Sequence, residues 1–310
     1  MSVDIFGRLN YMPKKYTFSV VGGDHRQLEI IRKLLADGHH VKVFSLGVSP
    51  EKVTRAEISS TLEKALTDCD VLLLPLPLTR DGVNVNLTEP SQAVSIDTIV
   101  QACKKVSNRI VFGGLIPSSI LEISRSLGVE LIDFYKNEEL QQKNALPSAE
   151  GAIMVAMENT DRVVEDMKAL VCGYGRIGKI LARKLKLLGA SVSVAARRDE
   201  VLCEIAMSGF TPIDIKRPDD LIAVSNNSDV IFNTITTQIF TRQIVEKISG
   251  DPLYIEIASS PGGIDVQSAR EFGMRIIFAP SLPGKYAPAS AGEYIFETIK
   301  DILCKRGMNI

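Results

Sequence analysis

The sequence has no tryptophan, only three histidines and no excess of charge of either sign. Its 36 lysines and arginines nearly balance 37 aspartates and glutamates, which argues against a nucleic-acid or anionic-membrane partner. No apolar stretch reaches the roughly 18 residues that a membrane-spanning helix needs. The first residues are polar and acidic and lack the apolar core of a signal peptide. We therefore expect a cytoplasmic protein.

The cysteines and histidines are poorly placed for metal or acid-base chemistry. The five cysteines lie far apart without a C-x-x-C pair, which favours reduced, mostly buried thiols and predicts no metal site. The histidines are His25, His39 and His40, all near the beginning of the chain. A 2-hydroxy-acid dehydrogenase is excluded, because it needs an acid-paired histidine in its nucleotide domain.

Strands and helices alternate along the whole chain of 310 residues, a length that suits two domains. Apolar, β-branched runs such as "YTFSVVGG" (16–23) are followed by stretches with helical spacing such as "HRQLEIIRKLLADG" (25–38). Further helices are expected around 51–67, 96–107 and 117–127. Continuous apolar strands between amphipathic helices predict parallel sheets covered on both faces, so the fold class is α/β with two doubly wound domains.

The domain boundaries follow from composition. We predict an N-terminal α/β domain on the substrate side over 1–147, ending in the polar segment "NEELQQKNALP". A Rossmann domain over 148–290 begins with a long helix (148–167) capped by Ser148. By analogy with two-domain dehydrogenases, the C-terminal helix (291–310) is expected to pack back on the first domain.

The segment "CGYGRIG" (172–178) is a dinucleotide-binding motif in its usual context, between a strand and a helix. Gly173 permits the tight turn, Gly175 lets the backbone approach the diphosphate, and Gly178 lets the helix pack on the strand. The helix N-terminus, with Tyr174, Arg176 and Ile177 in and after the turn, is expected to bind the diphosphate.

The end of the following strand, "SVSVAARRDE", predicts the nucleotide. NAD sites place an acidic residue there for the ribose hydroxyl, whereas NADP sites use arginine for the 2′-phosphate. Ala196 occupies the position of the acid, and Arg197 and Arg198 follow it, so we predict NADP. Asp199 is an alternative ribose ligand if the strand ends later, although it better suits a helix cap.

Two later strand ends should also contact the nucleotide, since loops at the carboxyl edge of such a sheet face the ligand. The segment "NTIT" (233–236) contributes Asn233, Thr234 and Ile235, and "ASSPGG" (258–263) contributes Ala258 and Ser259. Ordinary turn chemistry is the alternative for both segments. An early pair, Gly22-Gly23, is either a plain turn capped by Asp24 or an anion site to which Arg26 adds charge.

Several stretches together resemble one family. They are "VVGGDHRQLEIIRKL" (20–34), "ALPSAEGAIMVAMENTD" (145–161), the glycine motif with its helix (172–197), "IEIASSPGGID" (255–265) and "APSLPGKYAPASAGEYI" (279–295). The chain resembles the A subunit of dipicolinate synthase from spore-forming bacteria almost from end to end. From about 46 to 96 it shows no motif of that family.

The resemblance implies an oxidoreductase of the mother cell that acts during sporulation. With a separate B subunit it would convert dihydrodipicolinate, or its hydroxylated tetrahydro precursor, to dipicolinate, with NADP as acceptor. It implies no nucleic-acid or membrane partner, and we expect a homo-oligomer. Two alternatives remain: an NADP-dependent reductase of another keto or imino acid, and a nucleotide-binding regulatory subunit without chemistry of its own.

A ring dicarboxylate needs cationic or N–H partners, because burying an unpaired carboxylate is very costly. We expect Arg26 and Lys285 to bind the carboxylates. The remaining candidates for proton transfer are few, and none has an evident orienting partner in the sequence. The substrate-site candidates are Gly23, Asp24, Arg26, Ser148 and Lys285, and the acid-base candidates are His25, Glu150 and Lys285.

Overall fold

A computed structural model describes residues 14–47, 50–87, 93–105, 109–308 and 310. The chain divides into two compact units, one formed by 1–141 and 288–310 and the other by 142–287. Each unit contains a six-stranded sheet whose paired strands are all parallel. The predicted class, two doubly wound α/β domains, is confirmed. In the described part of the chain, no helix is long and apolar enough to cross a membrane.

The first unit alternates strands with helices. Its strands are β1 (Thr17–Val21), β2 (His40–Phe44), β3 (Glu57–Ile58), β4 (Val71–Leu73), β5 (Ile110–Gly113) and β6 (Leu131–Asp133). The helices between them are α1 (Arg26–Ala36), α2 (Leu62–Leu66), α3 (Ile96–Lys104) and α4 (Ser118–Ser126). The strand order β3-β2-β1-β4-β5-β6 places the reversal of chain direction across the sheet between β1 and β4.

The second unit repeats this order. A long helix, α5 (Glu138–Asn159), leads into its strands β7 (Lys168–Cys172), β8 (Ser191–Ala196), β9 (Thr211–Asp214), β10 (Val230–Asn233), β11 (Leu253–Glu256) and β12 (Ile276–Phe278). The strand order is β12-β11-β10-β7-β8-β9, with the reversal between β7 and β10. Its helices are α6 (Arg176–Leu187), α7 (Asp199–Met207), α8 (Pro218–Asn226), α9 (Arg242–Val245), α10 (Val266–Glu271) and α11 (Leu282–Tyr286).

The apolar strands are buried on both faces, as their unbroken hydrophobic runs predict. In β1, Phe18 and Val20 join the core beneath α1, whereas Val21 joins a second core with residues of α3. In β7, Val171 packs with residues of α5 and α6, and Leu170 packs with the opposite core of the second unit. Each sheet therefore has a hydrophobic core on both sides.

The last helix, α12 (Pro288–Lys305), packs against α1 within the first unit. Ile295, Ile299 and Leu303 lie in the same core as the inner face of α1. A Cβ at Gly292 would collide with the backbone of Arg26, so only glycine permits this close approach. An ion pair between Lys33 and Glu293 closes the contact on the surface.

The helix predicted over 148–167 is wrong at both ends, because α5 begins at Glu138 and ends at Asn159. The polar segment before Pro147 is rich in Glu, Gln and Lys, which are good helix formers, and polarity alone did not make it a linker. Ser148 therefore does not cap a helix. It is buried inside α5, where its hydroxyl donates a hydrogen bond to the Asn144 carbonyl at 2.8 Å.

One further local prediction is wrong, and one strand was missed. The helix expected around 51–67 is a 3₁₀ turn (50–53), the short strand β3 and the short helix α2. The edge strand β9 was not expected, since Pro212 argues against a regular strand and is tolerated here only because β9 lies at the edge of the sheet.

Candidate dinucleotide-binding site

The glycine-rich turn between β7 and α6 has the geometry that its sequence requires. Gly173 has a φ of +99°, and a Cβ there would collide with the side chain of Thr234. A Cβ at Gly178 would collide with the Gly173 carbonyl, so glycine alone lets α6 approach the strand this closely. At Gly175, by contrast, no heavy atom of the described residues lies within 4 Å of the position a Cβ would take. Open space therefore remains in front of the helix.

The N-terminus of α6 suits an anion. Gly175 occupies the capping position and has no side chain, and the first turn contains no acidic residue. The N–H groups and the positive end of the helix dipole face the open space beside Gly175. A side chain at this glycine would occupy the space that a diphosphate needs, so the turn fits the diphosphate of a dinucleotide.

An open cavity of about 480 Å³ lies at the carboxyl edge of this sheet. Loops that follow β7, β8, β9 and β10 form its wall, together with one residue of α7. Five aliphatic side chains provide a surface on which an adenine ring can pack, and three cations lie on the same wall. The lining residues are Gly173, Tyr174, Gly175, Ala196, Arg197, Arg198, Val201, Ile215, Lys216, Ile235, Thr237, Gln238 and Ile239.

The cations at the end of β8 are exposed. The strand ends at Ala196, as predicted, so no carboxylate occupies the position of a ribose-binding acid. Arg197 forms no ion pair with any described residue, whereas Arg198 lies 3.5 Å from the Glu200 carboxylate. Arg197 is therefore the less neutralised of the two arginines.

Lys216 is a third cation of the cavity that the sequence did not reveal. Its Nζ lies 2.6 Å from Asp199 Oδ1 and 3.7 Å from Asp214 Oδ2. The hydrogen bond to Asp199 raises the pKa of Lys216 and lowers the pKa of Asp199. Asp199 is the first residue of α7 rather than its cap, and it pairs with the lysine without itself lining the cavity.

The other predicted nucleotide contacts divide into two groups. Tyr174 and Ile235 line the cavity, with the Tyr174 ring held edge-on against Phe210. Seven predicted contact residues do not line the cavity, and some of them form hydrogen bonds within the protein instead. Thr234 donates its hydroxyl to the Cys172 carbonyl at 2.8 Å. The seven residues are Arg176, Ile177, Gly178, Asn233, Thr234, Ala258 and Ser259.

Asn233 was expected to contact the nucleotide, but its side chain is fully buried and binds protein instead. Its Nδ2 donates to Glu256 Oε1 at 2.7 Å and to the Ile235 carbonyl at 2.8 Å. Its Oδ1 accepts the Ile235 N–H at 3.2 Å. Asn233 therefore shapes the turn after β10 rather than presenting a group to a ligand.

Glu256, the last residue of β11, is the centre of this network and is only 3% exposed. Besides Asn233, it accepts the N–H groups of Ala258 (3.1 Å) and Gly263 (2.8 Å) and the Tyr254 hydroxyl (3.2 Å). The carboxylate thus fixes both ends of the segment 258–263, which follows β11 at the carboxyl edge. Burial and the nearby charge of Glu256 raise the pKa values of Tyr254 and Cys172.

The first unit has its own glycine turn at the carboxyl end of β1. Gly22 and Gly23 have φ values of +66° and +96°, and the Gly23 N–H donates to the Asn86 carbonyl at 3.0 Å. His25 is exposed at the beginning of α1. His25 lies in the turn that joins the carboxyl end of β1 to α1.

Arg26 is not available as a carboxylate partner for a ligand. Its side chain is 5% exposed and donates two hydrogen bonds to Asp24, at 2.8 and 2.7 Å, and a third to the Leu76 carbonyl. Burial raises the pKa of Asp24, but the hydrogen bonds and charge of Arg26 outweigh it and hold that pKa below its usual range. The pair joins the turn after β1 to the turn after β4.

Lys285 is not among the residues that line the cavity at the glycine-rich turn. Its Nζ donates to the Tyr286 hydroxyl at 2.9 Å, which donates to Glu158 Oε2 at 2.9 Å. Glu158 lines a surface depression with residues that precede or begin β7, β10, β11 and β12, namely Lys168, Asp229, Asp251 and Arg275. Lys285 is therefore held by a neutral hydroxyl and does not line the cavity, and its expected role in the substrate site stays a prediction.

Glu150 is also engaged. Its carboxylate is exposed on the flank of α5 and lies 2.8 Å from Lys184 Nζ on α6. This partner was not evident in the sequence, because the two residues are far apart in the chain.

The two parallel sheets, one in each unit, and the glycine-rich turn define a protein of the Rossmann dinucleotide-binding class. A family model described as the N-terminal domain of the dipicolinate synthase A subunit matches residues 17–135. The A subunit of dipicolinate synthase from Bacillus subtilis is 28% identical over 292 residues, which cover 93% of this chain and 95% of that protein.

Solved structures agree with these sequence matches. The crystal structure of the dipicolinate synthase A subunit from Bacillus halodurans superposes with a TM-score of 0.81 at 28% identity, covering 94% of this chain and 99% of that one. A transhydrogenase from Sinorhizobium meliloti, at 15% identity, a TM-score of 0.66 and 94% coverage of both chains, shares the fold. Over nearly its whole length, the chain is thus similar in sequence and fold to the A subunits of dipicolinate synthase.

Proposed function

We propose that the chain is the NADP-dependent oxidoreductase subunit that forms dipicolinate from dihydrodipicolinate in a sporulating cell. One observation carries the choice of nucleotide: the cavity at the glycine-rich turn has Arg197, Arg198 and Lys216 on its wall and no acid at the end of β8. A 2′-phosphate needs such donors, whereas the ribose hydroxyl of NAD is usually held by a carboxylate.

The proposed reaction removes a hydride and a proton from the dihydro ring, which becomes aromatic. NADP, when bound, supplies the hydride acceptor. The residues of the chain would bind and orient the cofactor: the glycine turn and the N-terminus of α6 would hold the diphosphate, and Arg197 would hold the 2′-phosphate. Glu256 and Asn233 fix the segment 258–263, whose backbone would border the nicotinamide. If the substrate arrives as the hydroxylated tetrahydro ring, water leaves before the two hydrogens.

We propose that the B subunit supplies or completes the acid-base machinery. Glu150 is paired with Lys184 and Lys285 donates to a tyrosine hydroxyl, so the exposed His25 in the turn after β1 is the acid-base candidate that we favour within this chain. The purified chain should bind NADP(H) and dipicolinate but turn over slowly until the B subunit is added. Full-rate dipicolinate formation by the chain alone, on freshly generated substrate, would contradict this proposal.

The Arg197→Ala variant tests the nucleotide assignment. Loss of a charge-assisted hydrogen bond typically weakens binding by about tenfold to a hundredfold, and the loss should apply to NADP(H) and not to NAD(H). Calorimetric titration of both nucleotides measures the difference. Arg183→Ala is the matched control, because Arg183 is an exposed arginine of α6 outside the cavity wall. An unchanged ratio of the two affinities in Arg197→Ala would show that the assignment is wrong.

A further inference from the structure

The turn after β4 contains an arginine in a position suited to a ligand. In open α/β sheets, ligands bind outside the carboxyl ends of the strands where the strand order reverses. In the first unit this point lies between β1 and β4. Two turns flank it, the segment 22–26 after β1 and the segment 74–86 after β4, and their arginines are Arg26 and Arg80.

The two arginines differ in what neutralises them. Arg26 is buried and forms an ion pair with Asp24. Arg80 is exposed, and its Nε donates to the neutral Asn86 Oδ1 at 3.2 Å, which orients the guanidinium without cancelling its charge. Among the described residues Arg80 has no ion-pair partner. The planar fork of Arg80 is therefore available to an anion.

The neighbouring carboxylate, Asp81, does not neutralise Arg80. Asp81 accepts the N–H groups of Val83 and Asn84 and the side-chain amide of Asn84, at 2.7 to 2.8 Å. These hydrogen bonds, led by the Asn84 N–H, hold the pKa of Asp81 far below its usual range. Asp81 stabilises its own turn.

The turn that carries Arg80 rests directly on the glycine turn of β1. Asn86 donates its N–H to the Leu78 carbonyl at 2.8 Å, and its own carbonyl accepts the Gly23 N–H at 3.0 Å. A Cβ at Gly22 would lie 2.9 Å from that carbonyl. The residue that orients Arg80 is thereby fixed beside the turn that presents His25.

We propose that Arg80 binds a carboxylate of the organic acid substrate at the carboxyl edge of the first unit, the role that the sequence suggested for Arg26. The guanidinium suits two parallel hydrogen bonds to a carboxylate. His25, exposed in the adjacent turn, is the second polar group of this site. The inference rests on the proposed function, since it takes a small aromatic dicarboxylate as the ligand.

The test compares Arg80→Gln, Arg80→Lys and wild type by calorimetric titration with dipicolinate and, separately, with NADP(H). Losing the charge and the fork should weaken dipicolinate binding by about tenfold or more, with NADP(H) affinity unchanged. Arg80→Lys keeps the charge and should recover part of the affinity. Arg125→Gln is the matched control, an exposed arginine near the C-terminus of α4, and melting curves of all variants confirm folding.

The outcomes separate the inference from the function on which it rests. Normal dipicolinate affinity in a folded Arg80→Gln protein overturns the assignment of Arg80 and leaves the proposed function standing. Wild-type protein that binds neither dipicolinate nor the monocarboxylate picolinate overturns the proposed substrate class and the Arg80 site together. A selective loss in Arg80→Gln, with Arg125→Gln unaffected, supports the site.

Discussion

Glu256→Gln should destabilise the second unit, because the carboxylate is a buried acceptor that an amide cannot replace. Its Oε1 accepts from Asn233 and Ala258, and its Oε2 accepts from Gly263 and Tyr254. The tyrosine hydroxyl can rotate and become an acceptor, but the other three donors cannot. In either orientation, the NH₂ of glutamine faces at least one N–H donor.

The magnitude follows from these contacts. Breaking one charge-assisted hydrogen bond and leaving a buried donor unsatisfied costs about 2–4 kcal/mol in the free energy of unfolding. For a domain of this size that corresponds to a drop in Tm of roughly 5–15 °C. The segment 258–263 would also lose its fixed ends, so affinity for the dinucleotide should fall with the Tm.

The assay is thermal unfolding monitored by circular dichroism. The affinity for NADP(H) is measured on the same preparations. Glu271→Gln is the control: this exposed glutamate pairs with Arg242 on the surface, and its variant should melt close to the wild type. A Glu256→Gln protein with wild-type Tm and wild-type nucleotide affinity would refute the reasoning about the buried network.

Two more predictions follow, one from an ion pair and one from the burial of a histidine. Asp199→Asn frees Lys216 from a competing carboxylate and should raise affinity for NADP(H) a few-fold without changing NAD(H), as measured by calorimetry; equal gains for both nucleotides would contradict it. Burial lowers the pKa of His39, so its contribution to stability is complete above about pH 6.5 and lost as pH falls through the lower folded-state pKa. His39→Gln should therefore flatten the decline of Tm below neutral pH, whereas His40→Gln, at an exposed position, should leave the decline as in the wild type.

The fold could be predicted from the sequence where a signal was local and strong. Apolar runs alternating with helical spacing predict two parallel sheets, and the glycine motif identifies the turn between β7 and α6. The helix α5 was harder, because Pro147 and a polar stretch both suggest a break that its good helix formers override. Strand β9 was missed because a short edge strand with a proline leaves little pattern.

The candidate site was harder to predict from the sequence, because partners distant in the chain decide which charged side chains are free to bind a ligand. Nothing in the segment around Arg26 shows that its guanidinium is paired with Asp24 and hydrogen-bonded to the Leu76 carbonyl. Lys216 could have been found had β9 been recognised, because the end of that strand lies beside the end of β8. Lys285 is two hydrogen bonds from Glu158, and only the packing of α11 on α5 brings these residues together.

The most direct test of the central claim is the stoichiometry of the reaction. The chain is mixed with its B subunit, freshly generated dihydrodipicolinate and either NADP or NAD, and dipicolinate and reduced nucleotide are measured together. Removal of one hydride and one proton per ring predicts one NADPH for each dipicolinate formed, with NADP strongly preferred over NAD. Dipicolinate that forms at the same rate without nucleotide, or without any NADPH, would contradict the account.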